Sequence, residues 1–383
     1  EPVDVAFIMV PQAAVVEAVE EAASAGIRNV VILTSGYAEI GAEGQALETV
    51  LIDRARQLGV LVWGPNSLGF NNVGDGTPVS AISAMEPILP PSIALLTQSG
   101  ATSIELNELA HSMNIGSSFV AATGNEAMIT LSDLIDYLVD HEPTRAIAVF
   151  AESVRDPAAF IRAAEHARAR RKPIVMLKIG RSALSGEVAK AHTGSLVGDD
   201  RVFDAVCERL GVVRVRSLEE LITTAGLAAA TGPLPASGVG FISVSGGACT
   251  MAADCAEVAG VPLPPHPPEA VARLKEVLPS FGATLNPLDV TGAAMGDPPM
   301  FGKTIPIVAS SPEIGLIAIS VIVPVVEGQG YPPALPYIGE EIARLDKPAI
   351  LVATTTRTLT DYTRSWLAKY RLPHAVTGIN PML

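Results

Sequence analysis

One imidazole stands in the middle of a run of small residues, Ala191-His192-Thr193-Gly194-Ser195, with Gly198 close behind. Small residues make a loop that is cheap to move and that lets backbone approach a ligand closely. A histidine so placed can be a nucleophile, a general base, a metal ligand or an idle exposed ring. No second histidine or cysteine lies at metal-ligand spacing, so a metal is the weakest of these readings. A carboxylate sits within reach of the argument: Glu152 closes an apolar run at 146–151. A carboxylate that accepts the ring N–H fixes the tautomer and stabilises the imidazolium. A surface glutamate without function is the bland alternative.

Two further stretches share one plan. Thr97-Gln98-Ser99-Gly100-Ala101 and Ser243-Val244-Ser245-Gly246-Gly247 each follow an apolar run and precede a helical pattern. The N–H groups and partial positive charge of an open helix start attract anions. Short strand-to-helix turns favour Ser and Gly for structural reasons too, but a matched pair in successive segments favours function. If both start a helix around one phosphate, they should face each other and pinch it.

The elements that must position these residues read as alternating strands and helices. Strands are expected at 3–10, 29–33, 60–63, 93–97, 118–122, 146–151, 174–178, 212–215, 239–244, 316–323 and 349–353. Helices are expected at 13–25, 44–58, 101–113, 131–139, 157–170, 200–210, 218–230, 246–259, 269–278 and near Glu340. Such alternation implies right-handed βαβ units and parallel sheets, whose ligands bind beyond the carboxyl ends of the strands. Residues 71–91, with four prolines and weak periodicity, read as a loop or linker. The Pro/Gly/Ser stretch at 231–238 is the clearest boundary.

Composition sets the outer bounds. The 383 residues call for two or three domains. The chain is 49% hydrophobic but only 4% aromatic, which suits buried parallel strands. A net charge of −14 argues against nucleic acid or an anionic membrane as partner. The three cysteines, Cys207, Cys249 and Cys255, have no framework spacing and fit a reducing compartment. No apolar run is long enough to span a bilayer, and no signal peptide pattern opens the chain. A cytoplasmic location is expected. Gly-x-Ser-x-Gly is absent, which weakens a Ser/His hydrolase reading; so are the dinucleotide and P-loop glycine motifs.

Six ordered motifs then resemble one family. They are Thr34-Ser35-Gly36-Tyr37-Ala38-Glu39, Gly64-Pro65-Asn66-Ser67-Leu68-Gly69, Gln98-Ser99-Gly100-Ala101, Gly124-Asn125-Glu126-Ala127, Ala191-His192-Thr193-Gly194-Ser195 and Asn286-Pro287-Leu288-Asp289-Val290. Together they resemble the NDP-forming acyl-CoA synthetases, of the ADP-forming acetyl-CoA synthetase type and related to the succinyl-CoA ligase α subunit. The resemblance implies an α/β fold: the C-terminal half of a Rossmann-like CoA-binding domain over 1–78, then two flavodoxin-like parallel-sheet ligase domains. The first, 79–231, would carry the phosphohistidine loop, and the second would span 238–383.

It also implies roles. His192 is the residue transiently phosphorylated, and Glu152 holds the phosphohistidine. Gln98, Ser99, Gly100 and Ala101, with Ser245, Gly246 and Gly247, cradle its phosphate. Thr34, Ser35 and Gly36, with Gly64, Pro65 and Asn66, fall on the CoA-contacting edge. Coenzyme A is the expected cofactor, ATP or ADP with Mg2+ is expected on an ATP-grasp domain or subunit, and a homo-oligomer is expected. ADP and GDP are both open. The leading Gly-rich CoA turn and an ATP-grasp segment are not seen, which leads us to expect a trimmed piece of a longer enzyme. Such a piece alone should make no ATP and bind CoA poorly. Ile104, where succinate-using relatives carry tyrosine, hints at a less polar acyl group. The alternative from another class is a non-catalytic, acyl-CoA-responsive regulatory module.

Overall fold

The computed structural model describes residues 3–83, 85–182, 184–185, 199–329, 332–355, 358–379 and 382. They form two compact units, the first from 1–111 with 115–229 and the second from 112–114 with 230–383.

The first unit begins with a three-stranded parallel sheet of β1 (Val5–Ile8), β2 (Asn29–Ile32) and β3 (Leu61–Trp63), in that order. Helix α1 (Val15–Ser24) buries Val15, Val19, Ala22 and Ala23, a spacing that draws one stripe down the helix. Helix α2 (Ala42–Leu58) buries Leu51, Ile52 and Ala55 in the same core. It stops at Gly59, whose left-handed backbone (φ 66°) returns an N–H to Ala55 O.

A seven-stranded sheet follows in the same unit. It holds β4 (Gly69–Asn72), β5 (Thr77–Ser80), β6 (Pro91–Thr97), β7 (Gly116–Ala122), β8 (Ala146–Ala151), β9 (Ile174–Lys178) and β10 (Val213–Arg214), ordered β10-β9-β8-β6-β7-β4-β5. Helices α3 (Gly100–Ser112), α4 (Leu131–Asp140), α5 (Pro157–Ala169), α6 (Asp200–Leu210) and α7 (Leu218–Thr231) punctuate the strands. Central strands are apolar on both faces: Ile93, Ala94, Leu95 and Leu96 are all fully buried. The two sheets share one core, since Val31 and Trp63 pack with Leu96, Phe119 and Ile135. The indole of Trp63 donates to Ala122 O at 3.0 Å.

Part of the stretch read as a loop or linker is β-structure instead. Strands β4 and β5 form an antiparallel pair, and β4 pairs antiparallel with β7. The sequence hid this because Pro78 sits within β5; an edge strand tolerates a proline that a central strand would not.

The second unit is a five-stranded, all-parallel sheet ordered β12-β11-β13-β14-β15. Its elements are β11 (Gly238–Ser243), α8 (Gly246–Ala259), α9 (Pro268–Val277), β12 (Leu288–Asp289), α10 (Pro298–Ala309), β13 (Ile314–Ser320), α11 (Leu335–Ile342), β14 (Ala349–Ala353), α12 (Asp361–Lys369) and β15 (Ala375–Thr377). Helix α10 was not expected. Pro298 and Pro299 open it, where a missing N–H costs nothing, but Pro306 lies inside it. Burial of Phe301, Ile305 and Val308 in the core outweighs that penalty. Among the described residues no helix is long and apolar enough to cross a membrane, and no group of three or more His, Cys, Asp or Glu could hold a metal.

Candidate active site

The carboxyl ends of β2, β3, β6, β7 and β8 feed loops into one cleft of about 380 Å³ in the first unit. Its walls include Leu33, Glu39, Asn66, Gln98, Ser99, Gly100, Ala101, Asn125, Glu152 and Arg155. All four residues of the first Ser-Gly turn therefore share one cleft with Glu152. This follows from register, because β6 and β8 are parallel neighbours, with Thr97 opposite Phe150.

The turn itself is tightly specified. Thr97 Oγ1 accepts from Ser99 N–H at 2.9 Å, and Ser99 Oγ accepts from Thr102 N–H at 3.3 Å. Ser99 O takes the N–H of Ser103. The first N–H groups of a helix have no intrahelical acceptor, so those of Gly100 and Ala101, on the cleft wall, are the donors this cap leaves over. Gly100 is required by closeness: a Cβ there would lie 2.9 Å from Leu68 Cγ.

Gln98 is spent on the neighbouring turn. Its Oε1 accepts from Glu152 N–H at 2.7 Å and Ser153 N–H at 3.0 Å, and its Nε2 donates to Ser153 O at 3.0 Å. So Gln98 orients the backbone that carries Glu152, a role the sequence did not reveal.

The second Ser-Gly turn, in the second unit, repeats the pattern atom for atom. Ser243 Oγ accepts from Ser245 N–H at 3.1 Å, Ser245 Oγ caps Ala248 N–H at 3.3 Å, and Ser245 O takes Cys249 N–H. One feature differs. Asp289 Oδ2 lies 2.9 Å from where a Cβ on Gly246 would stand, so this helix start already has a carboxylate beside it. Burial and the Asp289 charge push the Cys249 thiol up to about 12, which makes it inert.

The residues expected to meet CoA share the same sheet edge, but only Asn66 among them lines the cleft. Thr34 Oγ1 donates to Val10 O at 2.6 Å, and Thr34 O accepts from Asn66 N–H. Gly36 has φ 100°, a conformation that needs glycine, and its N–H reaches Glu39 Oε1 at 2.5 Å. Burial raises the Glu39 carboxyl, but the amide of Asn125 and the N–H groups of Gly36 and Tyr37 outweigh it and hold the group below its usual range. Gly64, with φ 96°, precedes Pro65, whose carbonyl takes the N–H of Asn125.

Residues 186–198, with His192, lie outside the described residues. One residue of the cleft wall escaped the sequence reading, and the burial of another just behind it was not anticipated. Arg155 is an exposed cation on the cleft wall, three residues after Glu152, and its place beyond a strand's carboxyl end was the available signal. Glu126 is 4% exposed behind the cleft, and nothing in its sequence neighbourhood announces burial.

Similar proteins are known for most of the chain. Residues 1–73 match a family described as a CoA binding domain, and 90–228 match a succinyl-CoA ligase like flavodoxin domain. The ADP-forming acetate–CoA ligase I of Archaeoglobus fulgidus is 34% identical over 319 residues, 83% of this chain and 45% of that protein. The α subunit of ADP-forming acetate–CoA ligase I of Pyrococcus furiosus is 35% identical over 299 residues, 77% of this chain and 63% of that subunit. The chain thus spans about half to two thirds of the length of these relatives. The structure of a dinucleotide-forming acetyl-coenzyme A synthetase 1 from Candidatus Korarchaeum cryptofilum, in complex with phosphate and ADP, superposes with a TM-score of 0.85 at 24% identity, covering 100% of this chain and 81% of that one. The fold, the two adjoining domain matches and these relatives agree: over most of its length the chain is similar to the ADP-forming acetate–CoA ligases.

Proposed function

We propose that this chain carries the acyl- and phosphoryl-transfer steps of an NDP-forming acyl-CoA synthetase. The observation that supports it most is the single cleft shared by the Gln98-Ser99-Gly100-Ala101 turn, Glu152 and the Asn66 edge. An oxygen of inorganic phosphate attacks the thioester carbonyl of acyl-CoA. The C–S bond breaks, CoA leaves as the thiol after taking a proton, and acyl phosphate remains. The N–H groups of Gly100 and Ala101 and the α3 start offset charge on the phosphoryl oxygens.

Neutral His192 then attacks phosphorus, the bond from phosphorus to the acyl oxygen breaks, and the carboxylate leaves. Glu152 accepts the other ring N–H and stabilises the developing imidazolium. Ser245, Gly246 and Gly247 form the second phosphate cradle. The phosphoryl group passes to a nucleoside diphosphate held with Mg2+ by an ATP-grasp domain or subunit, which regenerates neutral His192. Dividing the reaction in this way requires the histidine loop to move between sites. Thr34, Ser35, Gly36, Gly64, Pro65 and Asn66 contact CoA, and Ile104 favours an acyl group less polar than succinate.

The test is phosphate incorporation. Protein given acetyl-CoA or a longer acyl-CoA and labelled phosphate should acquire acid-labile, base-stable label. His192→Ala should abolish the label without unfolding the chain, and Glu152→Gln should slow it. Label that survives His192→Ala would overturn the assignment.

A further inference from the structure

Apolar residues recur at helical spacing on two neighbouring helices, at 157, 160 and 161 on α5 and at 202, 203 and 206 on α6. The two stripes meet where the rings of Phe160 and Phe203 stack, with centroids 5.9 Å apart. Together with the carboxyl ends of β8 and β9 they enclose a second cavity of about 430 Å³ in the first unit, a size that suits a small molecule. Glu152 and Ser153 line both this cavity and the cleft described above, so the two spaces adjoin.

Lys178 also lines the cavity. It closes β9, stands opposite Ala151 in the register and is 7% exposed. Its Nζ lies 5.6 Å from the centre of the Phe203 ring and donates to Ile179 O at 3.0 Å. An ammonium has three N–H donors, and among the described residues Nζ makes no other hydrogen bond. The carboxylates around it are taken: Asp200 pairs with Arg181 and Arg214, Asp204 with Arg214, and Asp199 with Arg201. Burial draws the Lys178 pKa below the usual lysine range; Asp200 opposes this, and Arg214 and Arg181 add to it. A buried cation without a counter-ion is costly, and an anion with an apolar body would offset that cost.

We propose that this cavity binds an apolar monocarboxylic acid, with its tail among Phe160, Ile161, Val202, Phe203 and Val206 and its carboxylate on the Lys178 ammonium. The inference deepens the synthetase reading above and rests on it in one respect: the bound acid is the acyl group that the chain handles. A dicarboxylate such as succinate would set its second charge among the apolar side chains, so the cavity selects against it.

The test is calorimetric titration of the 383-residue chain with acetate, butyrate, hexanoate, octanoate and neutral 1-octanol. Affinity should rise about fourfold for each CH₂ from butyrate to octanoate, the usual gain for a buried methylene. Lys178→Met keeps the bulk and removes the charge. It should weaken octanoate by about 10- to 100-fold, the scale of a charge-assisted hydrogen bond, and leave 1-octanol unchanged. Val206→Phe narrows the cavity and should flatten the rise with chain length while leaving butyrate unchanged. Octanoate should also compete with octanoyl-CoA in phosphate labelling.

Octanoate bound equally by wild type and Lys178→Met, or affinity that does not grow with chain length, would overturn the proposal. Should Lys178→Met fail to fold, Lys178→Gln removes the charge and keeps a donor, and the same comparison decides. Lys178-dependent binding of octanoate by a protein that takes no phosphate label would keep the ligand and remove the synthetase reading. Labelling with no Lys178-dependent binding would keep the synthetase and remove the cavity's role.

Discussion

Asn125 Nδ2 donates to Glu39 Oε2 at 2.6 Å, and the same amide nitrogen reaches Glu48 Oε2 at 2.8 Å. Two carboxylates from the CoA-binding segment are thus held by one side chain from the ligase segment. Glu48 is 5% exposed, and its buried carboxyl accepts from that donor and, more weakly, from Ala38 N–H at 3.4 Å. Asn125→Ala should destabilise the first unit by about 1–3 kcal/mol, the usual effect of leaving a buried acceptor unpaired. Asn125→Asp should be worse, since it sets a third carboxylate against two. Glu39 adds a pH signature. Its depressed pKa contributes stability above the unfolded value of 4.5 that is lost as pH falls through the folded one. The gap between wild type and Asn125→Ala in urea melts should therefore narrow in acid. Equal midpoints at pH 7 would show that the amide is dispensable.

Gly124 makes the junction possible. Its φ is 65°, and a Cβ there would stand 2.4 Å from both Pro65 O and Asn66 O. Those are backbone atoms that cannot swing aside. Gly124→Ala must push the 64–67 loop away from the ligase sheet, and a loss of about 2 kcal/mol or more is expected. The indole bond from Trp63 to Ala122 O lies close by, so Trp63 emission should shift as well. A variant with wild-type stability and emission would mean that the two loops do not meet so closely.

How far the sequence reveals this arrangement depends on the range of the interactions. Ile93, Leu95 and Leu96 make an apolar run that can only be a buried strand, so Gln98 to Ala101 are legible as its carboxyl-end turn. The same logic places Glu152, and parallel pairing of β6 with β8 brings the two together. Asn125 and Glu126 were visible as a motif but not as a junction. Their work depends on contacts such as Asn125 with Glu39 and Glu48, 86 and 77 positions away. No local pattern encodes that. The Thr77–Ser80 strand and the Pro298–Ala309 helix were hidden for a different reason: their prolines contradict local propensity, and tertiary packing decides.

Arg155 is the cation the Ser-Gly turns themselves lack, and it stands on the cleft wall with Gly100 and Ala101. A charge-assisted hydrogen bond to a phosphoryl oxygen contributes about 1.5–3 kcal/mol, which is roughly a 10- to 100-fold change in affinity. Arg155→Ala should therefore raise the half-saturating phosphate concentration for labelling by about that factor. Arg155→Lys should recover part of it, because a point charge lacks the planar fork. The defect should shrink as salt is added, since an exposed guanidinium is screened. Unchanged phosphate dependence in Arg155→Ala would assign the anion to the helix start alone.

Glu126 gives a prediction about stability. Its carboxyl is raised to about 7 in the fold, against 4.5 for an unperturbed glutamate, because burial disfavours the charge. Below pH 4.5 both the folded and the unfolded chain hold the proton, and the residue is neutral in its effect. Between 4.5 and about 7 the fold retains a proton that the unfolded chain has released. Stability must therefore fall as pH rises through this window and level off above it. A gap of this size corresponds to roughly 3 kcal/mol at 1.36 kcal/mol per pKa unit. Glutamine in the same place does not titrate. Relative to wild type, Glu126→Gln should gain roughly 2–3 kcal/mol on going from pH 5 to pH 8. The two units need not unfold together, so the reporter must belong to the first. With Trp366 replaced by Phe, Trp63 is the one remaining tryptophan and supplies that signal. Urea midpoints of Glu126→Gln and its parent that run parallel from pH 5 to pH 8 would show that Glu126 keeps an ordinary pKa. A variant that is more stable at pH 8 yet no faster in phosphate labelling would instead indicate a residue retained for its chemistry at a cost in stability.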